Sequence, residues 1–139
     1  MAEAVLRDKT NNKGLEKMII VDSAGTGDWH IGHPPHEGTR KLLDTHTISY
    51  EGMTARQVTS EDFTAFDYLI CMDQSNLTNL RKLVGGEDAS IIPFMDLLPD
   101  AVLREVPDPY FTGNFEEVYD LMDAGCEVLL EKIIKEKNI

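Results

Sequence analysis

The residues best suited to chemistry are those of the segment Asp108-Pro109-Tyr110-Phe111. A carboxylate followed by a rigid proline turn and two aromatic rings is typical of a proton donor beside a flat pocket for an aromatic phosphate. An Asp before a Pro is also a common turn former when it occurs alone. The segment therefore predicts Asp108 as a candidate general acid, and the rest of the chain must decide between the two interpretations.

The only two cysteines are Cys71 and Cys126, and their positions give neither a disulfide framework nor a zinc spacing. Cys71 lies inside an apolar stretch, which indicates an inert core residue. Cys126 is predicted to pack within a helix. Neither thiol has the surroundings expected of a nucleophile.

Three histidines, His30, His33 and His36, recur at intervals of three residues and could suggest a metal site. Pro34 and Pro35 interrupt any helix that would bring these side chains together. No cysteine or further histidine is near enough to complete the ligand set that zinc needs. We expect neither a metal nor a cofactor.

Length and composition indicate one domain over residues 1–139 with one core, since 42% of the residues are apolar. No apolar run approaches the length of about 18 residues that a membrane span needs, and the first residues are too acidic for a signal peptide. The net charge of −12 opposes nucleic-acid binding. It leaves room for a small phosphorylated ligand, which needs only a local nest of amides. We expect a cytoplasmic protein with reduced thiols.

Hydrophobic periodicity predicts helices that alternate with short strands. Helices are expected over residues 1–12, 34–45 and 114–137, with shorter ones capped by residues 59–62 and by Asp73. Strands are expected over residues 17–22, 67–72 and 90–94, and residues 108–113 in a long loop. The last helix carries an apolar stripe that consists of Val118, Leu121, Met122, Val128, Leu129 and Ile133.

This alternation indicates an α/β fold with three layers, α/β/α, around a parallel sheet. Such sheets bind ligands beyond the carboxyl ends of their strands, usually at a turn from a strand into a helix. Here the first predicted element is a helix, and only three strands can be recognised.

Several segments occur together in an order and spacing that resemble the low-molecular-weight protein tyrosine phosphatases of bacterial type. The resemblance extends over nearly the whole chain. It is carried by Met1-Ala2-Glu3-Ala4, residues 21–29, Pro34-Pro35-His36-Glu37-Gly38-Thr39, Ala55-Arg56-Gln57-Val58, residues 66–73, and Asp108-Pro109-Tyr110-Phe111 with Asn114-Phe115-Glu116.

The resemblance implies a role for five side chains. Asp108 would protonate the leaving phenolate and then activate water. Ser23 would support the thiolate of the nucleophile. Trp29 and Tyr110, with Phe111 beside them, would form the walls of a pocket for a phosphotyrosine ring on a protein substrate.

The sequence departs from the family at the phosphate loop, which in the family follows the pattern Cys-x5-Arg. Six residues after Cys71 stands Leu77, and six after Cys126 stands Lys132. We therefore expect the 139-residue chain to be catalytically inactive, and an internal start or a shortened form to be the simplest explanation. The full-length form is expected to hydrolyse phosphotyrosine through a phosphocysteine.

Two sister activities of the same fold and one non-enzymatic class are the alternatives to this function. Arsenate reductases of this fold need two further cysteines about seven residues apart, and position 78, seven after Cys71, is Thr. A protein-arginine phosphatase remains an alternative, although Tyr110-Phe111 favours the tyrosine class. A non-enzymatic regulatory or binding protein is the alternative from a different class.

The family's sheet has four parallel strands, and the one absent here would lie beside residues 17–22. Its loss would expose strand edges that invite pairing. We expect the gap to be closed by a rearrangement, in which residues 19–21 pair with residues 69–71, or by an exchange of elements in a homodimer.

Overall fold

The computed structural model describes residues 1–27 and 31–139. These residues form a short parallel sheet surrounded by helices. The elements, in chain order, are α1 (Ala2–Asn12), α2 (Glu37–Thr45), α3 (Asp62–Ala65), β1 (Leu69–Cys71), α4 (Gln74–Arg81), β2 (Ile91–Pro93), a 3-10 helix (Phe94–Leu97), α5 (Pro109–Thr112) and α6 (Phe115–Lys137).

Two strands are paired in parallel, and α4 connects them. Leu69 lies opposite Ile91, Ile70 opposite Ile92, and Cys71 opposite Pro93. An isolated parallel bridge joins Gly25 to Gln57 outside the named strands. The predicted α/β class with a parallel sheet is therefore confirmed, and α4 is the helical crossover that parallel strands require.

The core lies between α1, α6 and the 3-10 helix after β2. Ala4 and Val5 of α1 are fully buried against α6, which contributes Met122, Cys126 and Leu129 to the same cluster. A Cβ at Gly125 would overlap the ring of Phe94. The glycine therefore lets α6 approach the 3-10 helix closely.

The predicted long helices are present, with three local differences. Pro34 and Pro35 precede α2, because the side chain of His36 caps that helix. Residues 109–112 form the short helix α5 where a loop was expected. Val128, expected in the stripe of α6, is 38% exposed.

The strand predicted over residues 17–22 is absent. The amides of Met18 and Ile19 bond to the carbonyl of Leu15 in a turn, and the side chains of Met18 and Ile20 are 66% and 84% exposed. A strand needs a hydrogen-bonding neighbour as well as an apolar sequence. Within the described residues this segment has no ladder neighbour.

The expected rearrangement, in which residues 19–21 pair with residues 69–71, is also wrong. In the described part of the chain, β1 is paired only with β2. An exchange between two copies of the chain stays a prediction. Among the described residues, no helix is long and apolar enough to cross a membrane.

Candidate functional site

The candidate general acid begins a short helix whose limits follow from its sequence. Asp108 is the N-cap of α5, and its carboxylate accepts a hydrogen bond from the Tyr110 amide at 2.9 Å. Asp is a preferred N-cap residue, and Pro109 suits the first helical position. Gly113 ends the helix at φ 73°, a conformation that glycine adopts without strain. The helix therefore fixes the direction of the Asp108 side chain.

The chain just before Asp108 is attached to the carboxyl end of β1. The amide of Val106 donates to the carbonyl of Met72 at 2.9 Å. The carboxylate of Glu105 accepts a bond from the Gln74 amide at 2.7 Å, at the start of α4. Ligands in open parallel sheets bind beyond this end of the strands. The acid thus lies at the edge where a substrate is expected.

An open cavity of about 590 Å³ lies beside this attachment, between the start of α4 and the segment leading to Asp108. Five of its eight lining residues are polar or charged, and Leu103, Val106 and Pro107 are apolar. The lining consists of Asp73, Ser75, Leu103, Arg104, Glu105, Val106, Pro107 and Asp108.

The two aromatic residues after Asp108 are presented to solvent. Tyr110 is 66% exposed and Phe111 82% exposed. Their rings meet edge to face, with centroids 5.4 Å apart, and Tyr110 makes a second edge-to-face contact with His36 at 5.3 Å. The structure therefore brings Asp108, Tyr110 and Phe111 together on one helix. Trp29, the other expected wall, lies outside the described residues, as does His30.

Ser23 is held against the start of α1. Its hydroxyl donates to the carboxylate of Glu3 at 2.6 Å. The neighbouring Asp22 is bonded by Arg56 at 3.1 Å, and the same guanidinium makes two further bonds to Asp62 at 2.9 and 3.1 Å. These side-chain bonds and the bridge from Gly25 to Gln57 hold the segment that carries Ser23.

Neither cysteine has the properties of a nucleophile. Cys71 lies in β1, where burial raises the pKa of its thiol. Burial raises the pKa of Cys126 to about 12, so this thiol stays protonated near neutral pH. Both are free thiols inside the protein, as inert structural cysteines are.

One histidine of the predicted pattern has a structural role. His36 caps α2, since its Nδ1 accepts from the Gly38 amide at 3.0 Å. Among the described residues no group of three or more His, Cys, Asp or Glu side chains could hold a metal ion.

Sequence reasoning missed Glu3, His36 and Glu105 as neighbours of the candidate site residues. Glu3 and Ser23 are 20 positions apart, and Glu105 and Gln74 are 31 apart. No local pattern reports such pairs. His36 could have been found, because it directly precedes a helix and carries an acceptor nitrogen.

Comparisons with known proteins identify the same family over the whole chain. The sequence model of the family described as low molecular weight phosphotyrosine protein phosphatase matches residues 1–139. The low molecular weight protein-tyrosine-phosphatase YfkJ of Bacillus subtilis is 52% identical over 140 residues, covering 100% of this chain and 90% of that protein. PtpA of Staphylococcus saprophyticus is 40% identical over 142 residues, covering 100% and 88%.

Solved structures give the same result. The crystal structure of YfkJ superposes with a TM-score of 0.93, covering 98% of this chain and 86% of that one at 52% identity. The crystal structure of DARP, a Drosophila arginine phosphatase, superposes with a TM-score of 0.84 over 94% of this chain and 87% of that one at 28% identity.

Proposed function

Since the chain belongs to the low molecular weight phosphotyrosine protein phosphatase family, we propose that it carries the acid and aromatic half of such a site. The observation that carries the proposal is the helix α5, whose exposed N-cap carboxylate precedes two exposed rings. Asp108 is the proton donor, and Tyr110 and Phe111 contact the flat ring of phosphotyrosine. Trp29 is proposed as the opposite wall.

The reaction proposed for a form that contains a Cys-x5-Arg loop has two steps. The loop cysteine attacks phosphorus while the bond to the phenolic oxygen breaks, and Asp108 gives its proton to that oxygen. The Asp108 carboxylate then takes a proton from water, which attacks the phosphocysteine and releases phosphate. Ser23 supports the thiolate, and its hydroxyl is held in this structure by Glu3.

The 139-residue chain itself is proposed to be inactive on aryl phosphates. Its two thiols are buried with raised pKa values, and neither is followed by Arg at the sixth position. The chain therefore lacks the Cys-x5-Arg pair, in which the thiolate would attack phosphorus and the guanidinium would hold phosphate.

Release of p-nitrophenol tests this proposal directly. We expect no turnover by the 139-residue chain, and turnover once a family-type loop is placed upstream. In that loop-bearing form, Asp108→Asn should lower the rate by about 10²–10⁴-fold, the usual contribution of a general acid. The matched control is Asp100→Asn, which removes an exposed carboxylate from the turn at residues 99–100.

Two results would contradict the proposal. One is steady-state turnover by the 139-residue chain that Asp108→Asn abolishes. The other is a loop-bearing form in which Asp108→Asn and Asp100→Asn behave alike.

A protein-arginine phosphatase is the second candidate, because the Drosophila arginine phosphatase shares the fold. The exposed rings of Tyr110 and Phe111 favour an aryl phosphate over a phosphorylated guanidinium. Faster hydrolysis of phosphoarginine than of phosphotyrosine peptides by the loop-bearing form would favour this second function.

We also propose that residues 1–139 form a single domain and that the protein is located in the cytoplasm. We further propose that two copies of the chain associate through the segment around Ile20. The support for association is an apolar stretch that lacks a ladder partner in the described chain and exposes Met18 and Ile20. Such an edge is a template for pairing with another chain.

A further inference from the structure

Four rings form a continuous row, here called the aromatic row, across the starts of α2, α5 and α6. Phe111 meets Tyr110 edge to face at 5.4 Å, and Tyr110 meets His36 edge to face at 5.3 Å. His36 in turn lies parallel to Phe115, with centroids 5.6 Å apart and an interplanar angle of 12°. The row connects the exposed rings beside Asp108 to the first residue of the long helix α6.

The ring of His36 is also fixed by a hydrogen bond with the backbone. Its Nδ1 accepts from the Gly38 amide at 3.0 Å. A ring nitrogen that accepts carries no proton, so a neutral imidazole has its hydrogen on Nε2. The cap therefore sets the plane and the tautomer of the ring.

The surface behind His36 is closely packed. A Cβ at Gly38 would overlap the ring of Phe115, so the start of α2 lies directly against that ring. His36 is thus held from two directions, by the Gly38 amide and by the face of Phe115.

Tyr110 has much weaker support of its own. Its side chain is 66% exposed, and its amide, bonded to Asp108, fixes the backbone rather than the ring. Among the described residues, its ring contacts are those with His36 and Phe111, and Phe111 is the more exposed of the two aromatic residues of α5.

We propose that His36 is a positioning residue for Tyr110, and that its ring thereby sets the preference of the site for aromatic over alkyl phosphates. The position of the Tyr110 ring is a property of the 139-residue chain itself. Only the substrate preference rests on the proposed function.

Two substitutions distinguish the role of the His36 ring from the role of its capping nitrogen. His36→Asn keeps a good N-cap and removes the ring, whereas His36→Phe keeps a ring and removes the cap. We expect the Tyr110 ring protons, observed by NMR in the 139-residue chain, to move toward unstructured-peptide values in His36→Asn. They should stay near their original values in His36→Phe.

A residue that served only as a helix cap would give the opposite pattern. If the chemical shifts of the Tyr110 ring are unchanged in His36→Asn, the proposal is overturned. This variant is decisive because its asparagine still caps α2, so a change in the Tyr110 ring cannot be due to loss of the helix. Lys41→Asn, on the exposed face of the same helix, is the matched control and should leave the Tyr110 shifts unchanged.

The substrate arm uses the loop-bearing form with phosphotyrosine and phosphoserine peptides. His36→Asn should reduce the ratio of the two kcat/KM values by about 2–10-fold, the rate equivalent of one aromatic contact, and His36→Phe should restore most of it. An unchanged ratio in His36→Asn overturns the inference about preference. If the loop-bearing form has no activity on any phosphopeptide, the proposed function fails, while the NMR arm still decides the role of His36.

Discussion

The segment around Asp108 and the segment around Ser23 both carry candidate site residues, but they are held in different ways. The first has a capped helix of its own and a backbone bond from Val106 to the carboxyl end of β1. The second has no regular element. It is held in place by a side-chain bond from Ser23 to Glu3, a bond from Arg56 to Asp22 and one isolated bridge. Structure that follows from local sequence forms where the sequence predicts it, whereas an apolar stretch becomes a strand only beside another strand.

The largest difference between the two segments is expected when a charge is placed in the unpaired stretch that precedes Ser23. If two chains pair through the stretch that contains Ile20, Ile20→Lys places a charge on the edge and should convert the dimer fully to monomer. Static light scattering gives the mass directly. Thr64→Lys, at an exposed position on α3, is the control, and a wild-type chain that scatters as a monomer at all concentrations would refute the pairing.

A smaller effect is expected when the guanidinium that holds the Ser23 segment is removed. Arg56→Met removes the two bonds that the guanidinium donates to the largely buried carboxylate of Asp62, which keeps only its bond from the Thr59 amide among the described residues. The loss should lower the free energy of unfolding by about 2 kcal/mol. Urea denaturation measures it. Lys41→Met, which removes an exposed pair with Glu37, should change it by less than about 0.5 kcal/mol.

The same pair predicts a pH dependence. Hydrogen bonds from Arg56 hold the pKa of Asp62 below its ordinary value of 3.8. Its contribution to stability is therefore present above pH 3.8 and is lost as the pH falls through the lower value of the folded protein. The difference between wild type and Arg56→Met should shrink in acid, and a difference that stays constant down to full protonation of the carboxylates would contradict this assignment.

The smallest effect concerns the other segment. Asp108→Ala removes the cap of α5 but leaves the bond between Val106 and Met72 in place. We expect little change in global stability and a faster hydrogen exchange of the Tyr110 amide, by about fivefold for a cap contribution of about 1 kcal/mol. Exchange measured by NMR in Asp100→Ala provides the control. Equal exchange of this amide in both variants would show that the cap does not order α5.

The sequence predicted most of the helices and the class of the fold, because these depend on short-range signals. Asp73 caps α4 as expected, and α6 begins at Phe115, next to the predicted start at Asn114. The apolar strands β1 and β2 lie within the predicted ranges. The strand over residues 17–22 was wrong, because the apolar pattern there does not reveal whether a neighbouring strand exists.

The candidate site was predictable as a set of residues but not as an arrangement. Asp108, Tyr110 and Phe111 are adjacent in the sequence, so their proximity was assured. The bond from Ser23 to Glu3 and the contact between His36 and Tyr110 join positions that are far apart in the chain. Tertiary packing decides such contacts, and a single sequence carries no signal for them.

The close approach of α6 to Phe94 at Gly125 has a consequence for the order in which the chain folds. Glycine in the middle of a helix costs about 1 kcal/mol relative to alanine, so the centre of α6 is intrinsically weak before it meets its neighbour. We expect the two halves of this helix to form a continuous helix only when Phe94 packs against Gly125. Completion of the helix and its packing against the 3-10 helix would then occur in a single kinetic step. Pulse-labelled exchange during refolding would show this as simultaneous protection around residues 94 and 125, and earlier protection at 125 would rule it out.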